Sequence, residues 1–291
     1  VLRVIDRVGK GFRDSPRDAL IAESVEKIEI GKSFGYHRTM DTIGGTLGPL
    51  AAFLILPLLL GNYRLFFILG FLLGIFAILA FVFVRDIPRS ADAPVRKIPF
   101  TLSLSGFSRE FKLYILSVFI FGLGFMPISL VLLQSQTVGF SPTGIPLMYF
   151  VYGLSFVIFA IPFGKLSDKI GERKVLVIGF LVAILAYVVL GIFSTPVGVV
   201  ASFVIFGIYS AMTDGVQRAL ASKLVAGEQL ASGQGFLNAA VGISSLFAGV
   251  IGGGIWTFQG PTAAFIYGII LMFVGLVTFI FYTNHYDKNS N

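Results

Sequence analysis

Arg3, Asp6, Arg7, Lys10, Asp14 and Arg17 recur every three or four residues at the start of the chain, with Asp18 beside the last of them. That interval sets side chains on one face of an α-helix. Further on, His37 and Asp41 lie one helical turn apart with Arg38 between them, and Asp214 stands among apolar neighbours one turn before Arg218. A carboxylate in a poorly hydrated site holds its proton more tightly, and a guanidinium brought close makes it let go. An imidazole titrates near neutrality. Such a set can take up and return protons as its surroundings change, and its arginines also suit a carboxylate or phosphate ligand. A structural use competes at each place: Asp214 can bond Arg218, and His37, Arg38 and Asp41 can form a salt bridge that locks the loop before them.

Other chemistries find little material. The chain has no cysteine, so disulfides and thiolate metal sites are excluded, and His37 and His285 are too few for a histidine metal cluster. Gly31-Lys32-Ser33 ends like a phosphate-binding loop, but Glu26 stands where that loop needs its first glycine. Neither metal nor cofactor is expected, and with no soluble domain to carry paired acids or a nucleophile, neither is an enzyme.

The elements that position these charges are membrane helices. Of 291 residues 56% are hydrophobic and 13% charged, and the mean hydropathy is +0.89, which is far from the balance of a soluble domain. A crossing helix needs about 20 apolar residues. Thr42 to Tyr63, Leu65 to Val84, Leu113 to Ser141 and Thr143 to Gly164 each give one crossing. Val175 to Thr213 gives two, broken at Ser194-Thr195-Pro196, and Gly235 to Tyr286 two more around Trp256 to Pro261. With a charged opening helix the total is nine. The runs are long and unalternating, so they are helices and not barrel strands. Two placements fit Arg17 and Asp18: membrane depth, or beyond a helix that leaves the membrane near Lys10. Glu23, Glu26 and Glu29 read as a solvated loop.

Lys27, Lys32, the basic residues of 85–109, Lys165 through Lys174, Lys223 and Lys288 fall on one side if the crossings alternate, against Arg64 on the other. The excess marks the cytoplasmic side. The C-terminus is therefore expected inside, and the net charge of +7 reflects topology and not nucleic-acid binding. The proline-containing stretch 85–109 divides residues 1–84 from residues 110–291. A shift of 200 residues aligns Asp14 with Asp214, Ala19-Leu20 with Ala219-Leu220, Val25 with Val225, Gly35 with Gly235 and Ile43 with Ile243. Such a repeat is the mark of a transporter built from two related halves. It puts the partner of the helix near Glu110 about 90 residues before Val1, so three further helices are expected there.

Residues 164–174 read Gly-Lys-Leu-Ser-Asp-Lys-Ile-Gly-Glu-Arg-Lys. This resembles the loop motif that the major facilitator superfamily carries between helices 2 and 3 and between helices 8 and 9, with Gly164, Asp168, Gly171 and Arg173 at the matching positions. In the resembled motif the glycines let helices approach, while the Asp and Arg form bonds that break and re-form as two halves rock. Gly35, Gly44, Gly48 and Pro49 are similar to the helix 5 signature of the superfamily's antiporters, although Ala52-Phe53 departs from the Gly-Gly that follows there. Gly9-Lys10-Gly11 and Pro16-Arg17-Asp18-Ala19-Leu20 resemble a prokaryotic subgroup, with Asp214 to Leu220 as the second-half counterpart.

The resemblance implies an all-α, polytopic membrane protein of the two-bundle facilitator fold. Helices 4 to 6 would lie in 1–84, a central cytoplasmic linker in 85–109 and helices 7 to 12 in 110–291, with the first three helices missing. The implied function is secondary transport of a small molecule by alternating access in the inner (plasma) membrane, by a monomer, with proton-coupled efflux favoured. Organic-anion or metabolite uptake is the alternative within transport, and a membrane receptor or scaffold the alternative outside it. The expected partners are a small-molecule substrate, protons and the bilayer. The expected pathway residues are Asp6, Arg7, Asp14, Arg17, Asp18, His37, Arg38, Asp41, Asp214 and Arg218.

Overall fold

The computed structural model describes residues 14–59, 62–80, 104–140, 145–193 and 195–287. Among these the regular structure is helical throughout. The α-helices are α1 (14–23), α2 (Ile30–Leu58), α3 (Tyr63–Ala80), α4 (Arg109–Gly124), α5 (Ile128–Thr137), α6 (Ile145–Ile170), α7 (Glu172–Ile192), α8 (Pro196–Lys223), α9 (Leu230–Gln259) and α10 (Pro261–Asp287). Among the described residues six stretches are long and apolar enough to cross a membrane, namely Arg109–Thr137, Leu147–Ile170, Glu172–Ile192, Pro196–Lys223, Leu230–Gln259 and Pro261–Phe281. The linker expected at 85–109 lies mostly outside the described residues.

Local chemistry sets the breaks. Thr195 caps α8 by accepting the Gly198 N–H at 3.1 Å, and Pro196 takes the first helical position, where its missing N–H removes no bond. Gly171 and Gly260 adopt φ of +96° and +89°, turning the chain sharply between α6 and α7 and between α9 and α10. The expected single crossing 113–141 is interrupted at Phe125-Met126-Pro127, where α4 stops and α5 begins. The Met126 N–H freed by this break is satisfied by the Tyr187 hydroxyl at 2.7 Å. The helices also run further than their charge-free cores: α2 begins at Ile30 and α8 continues to Lys223.

From α4 onward the helices pack around an aromatic core. Phe121 stacks on Phe180 at 3.9 Å, Phe279 meets Phe180 edge to face, and Tyr187 meets Phe206 and Phe265 in the same way. Lipid tails are as apolar as this core, so association depends on close packing more than on exclusion of water. Gly124 and Gly268 supply the closeness between α4 and α10: a Cβ on Gly268 would lie 2.7 Å from the Gly124 carbonyl oxygen.

The early helices join this body at two places. Ala19 and Ala22 of α1 bury with Phe34, Ala219 and Leu230, and α2 runs along α6 with α8 beside it. The ends of α2, α6, α7 and α8 that carry Lys32, Lys165, Lys169, Lys174 and Lys223 come together on one side, called the basic face below.

Candidate functional site

Asp14, Arg17 and Asp18 stand on α1, Arg38 and Asp41 on α2, and Asp214 and Arg218 on α8. Arg17 reaches Asp14 at 3.0 Å and Asp18 at 2.9 Å. The other oxygen of Asp18 accepts from Arg218 Nε at 3.0 Å. Arg218 Nη1 donates to the Asp214 carboxylate and, at 2.6 Å, to the Asp214 carbonyl. Arg38 Nε lies 3.3 Å from the second Asp214 oxygen, and Arg38 Nη1 is 3.5 Å from Asp41. The result is one line of alternating charge, Asp14–Arg17–Asp18–Arg218–Asp214–Arg38–Asp41, that passes from α1 to α8 to α2. His37 lies in the field of Arg17, Arg38, Asp18 and Asp41.

The line holds four carboxylates and three guanidiniums. Burial is uneven along it: the Asp18 side chain is 0% exposed and that of Asp41 58%. A charge withdrawn from water is tolerated when its lone pairs are used, and Asp18 meets this condition through two arginines. Arg38 sits about 12 Å along α2 from its first residue at the 1.5 Å rise of a helix, well inside the basic face.

In the motif at 164–174 the Asp and the Arg have separate partners. Asp168 accepts the Gly31 N–H at 2.9 Å and the Lys32 N–H at 2.8 Å. A carboxylate thus caps the N-terminus of α2 from α6, where the free N–H groups and the helix dipole favour an anion. Arg173 instead pairs with Glu110 of α4 at 3.7 Å. Gly164 and Gly35 let the two backbones touch, since a Cβ on Gly164 would lie 3.3 Å from the Gly35 Cα. Contact continues to Thr46, whose methyl would lie 3.0 Å from a Cβ at Gly153. Beside Gly44 and Gly48 no described atom comes within 4 Å of a Cβ position, so of the helix 5 glycines Gly35 is the one used for close approach. Pro49 lies further along α2, and Gly171 forms the turn that brings Arg173 to Glu110. Asp6 and Arg7 lie outside the described residues.

Replacing Asp168 with alanine is expected to loosen α2 from α6 by about 1 kcal/mol, the usual worth of an anion at a helix N-terminus. Because the chain has no cysteine, Thr39→Cys on the buried side of α2 reports this directly. Maleimide labelling should be about fivefold faster in the Asp168→Ala background.

Sequence reasoning missed the polar support around Arg218. Asn238 accepts from Arg218 Nη2 at 3.4 Å, and Gln234 Nε2 donates to the Arg218 carbonyl at 2.9 Å and to Ser222 at 2.7 Å. The shift of 200 residues places Asn238 opposite Arg38, a signal hidden by a search confined to charge. Glu172 and Lys223, paired at 2.5 Å, tie α7 to α8 at the basic face.

Comparison with known proteins agrees with this architecture. A family model described as Major Facilitator Superfamily matches residues 1–133 and 113–291. An MFS-type transporter of Methanocaldococcus jannaschii is 31% identical over 283 residues, covering 95% of this chain and 70% of the relative. The crystal structure of the human organic anion transporter MFSD10 superposes with a TM-score of 0.62 at 16% identity, over 91% of this chain and 67% of that one, a likeness of fold.

Proposed function

Because the chain belongs to the major facilitator superfamily, and so is a multi-pass membrane transporter of a small molecule and not an enzyme, we propose that it exports its substrate in exchange for protons. One observation carries this reading: the charge line that runs from α1 through α8 to α2. Alternating access requires contacts that hold one side closed and can be given up without leaving buried charges alone. Each helix here keeps a partner of its own, Arg17 with Asp14 on α1, Arg218 with Asp214 on α8, and Arg38 with Asp41 on α2. The Asp18–Arg218 bond and the Asp214–Arg38 ion pair are the contacts that separation breaks.

Separation also creates a proton site. Once α8 withdraws, Asp18 loses Arg218 and keeps Arg17, and a carboxylate that gives up one of two guanidiniums binds a proton more readily. Return of Arg218 to Asp18 expels it. The lysines and arginines of the basic face support a cytoplasmic position for it; on this reading the closed contacts and the C-terminus lie inside, and the plasma membrane is the site of action.

A second reading, organic-anion transport, has one observation in its favour. Arg38 Nε and Nη2 are buried without a hydrogen-bond acceptor among the described residues, and a bound carboxylate would supply one. Reconstituted liposomes decide between the two. With the interior acid, protein-dependent accumulation of a lipophilic cation together with alkalinisation of the lumen is the expected result. Accumulation of an organic anion instead establishes the second reading.

A further inference from the structure

We propose that the groove between α2 and α6 at the basic face binds the headgroup of an anionic phospholipid and clamps the two helices together. The groove has a volume of about 470 Å³ and is lined by Lys32, Ser33 and Tyr36 of α2 and by Ile161 and Lys165 of α6. The order of these residues along the two antiparallel helices is the argument. Lys32 stands at the start of α2 and Lys165 near the end of α6, so both ammoniums lie at the rim, where headgroups lie. Tyr36 is one turn deeper than Lys32, and Ile161 is one turn deeper than Lys165. Charge at the rim with an aromatic and an aliphatic side chain about 5.4 Å below is the profile of a phosphate continued by glycerol and acyl chain. A free phosphate would leave Tyr36 and Ile161 uncovered.

The nearby carboxylates leave this charge available. Asp168 is engaged by the Gly31 and Lys32 backbone N–H groups. Glu29 takes one bond from Lys32 at 2.8 Å, which holds the Glu29 carboxyl below its ordinary range and leaves the ammonium two further donors. One phosphate spanning Lys32 and Lys165 ties α2 to α6 beside the Asp168 cap. The composition of the leaflet at the basic face thereby biases the closed arrangement, whatever the transported substrate.

The test uses the chain's single tryptophan. In a Trp256→Phe background, Tyr36→Trp places a fluorophore in the groove, and lipids with brominated chains quench it on contact. Brominated phosphatidylglycerol is expected to reach half-quenching at a mole fraction about 25-fold lower than brominated phosphatidylcholine, at about fivefold for each lysine near a membrane surface. Lys165→Gln should remove about fivefold of that preference and Lys32→Gln/Lys165→Gln all of it, with unchanged helix content and elution volume. Glu29→Gln should strengthen it. Equal quenching by the two lipids, a preference that survives the double substitution, or displacement of the phosphatidylglycerol by millimolar inorganic phosphate would each overturn the proposal. No transport is measured, so failure here leaves the exchange mechanism untouched, and failure of exchange leaves this site standing.

Discussion

Arg218→Gln is expected to be the most damaging single substitution in the protein, lowering stability by about 3 kcal/mol or more. The reason is the position of Arg218 in the charge line. It bonds Asp18 and Asp214 and reaches Asn238, so its removal takes one of two arginines from a fully buried Asp18 carboxylate and leaves one of its oxygens without that donor. Breaking one side of a buried pair leaves an uncompensated charge, whereas removing both sides is far milder. Asp18→Asn in the same chain should therefore recover much of the loss, with a coupling of about 2 kcal/mol in the double-mutant cycle. Thermal unfolding in detergent, followed by helix content, provides the measurement. Additive losses would mean that Asp18 and Arg218 do not depend on each other, and the closed contact would have to rest on Asp214–Arg38, Asp168 and the α2–α6 glycines.

That pairing shows where the sequence was legible and where it was not. Hydropathy located the crossings because a run of apolar residues is a local property, and Thr195-Pro196 and Gly260 announced their turns by residue type. A charge-free run marks only the apolar middle of a helix, not its charged ends. Charges that are paired can continue a helix, as those of α2 do from Ile30 and those of α8 do to Lys223. Pro127 was visible, but the break it accompanies depends on Tyr187, 61 residues away, to satisfy the exposed N–H. The shift of 200 residues matched Asp14 with Asp214. It also set Asp18 opposite Arg218, and these two equivalent positions bond each other directly. Spacing within one helix shows which charges share a face. It does not show which face of a distant helix will meet them.

Asp18→Asn is expected to abolish uphill transport driven by a pH gradient, while exchange of labelled for unlabelled substrate continues. Both outcomes follow from the partners of Asp18. In the opened arrangement Asp18 has given up Arg218 and takes the proton, whereas an amide in its place has no carboxylate to protonate. Substrate can still move in both directions, because the helices can still separate, but the movement no longer carries a proton. Asp41→Asn is expected to behave differently. Its pair with Arg38, at 3.5 Å the longest in the line, lies within α2 and survives opening, so gradient-driven transport should persist. His37 is the other group that could titrate here, and His37→Gln distinguishes it by the same pair of assays. Should Asp41→Asn lose coupling and Asp18→Asn keep it, the proton would belong to α2 with His37, Arg38 and Asp41, and the Asp18–Arg218 bond would be a structural feature of the closed contact. The two assays together separate a coupling residue from a residue that merely holds the helices in place, since a structural loss lowers exchange as well.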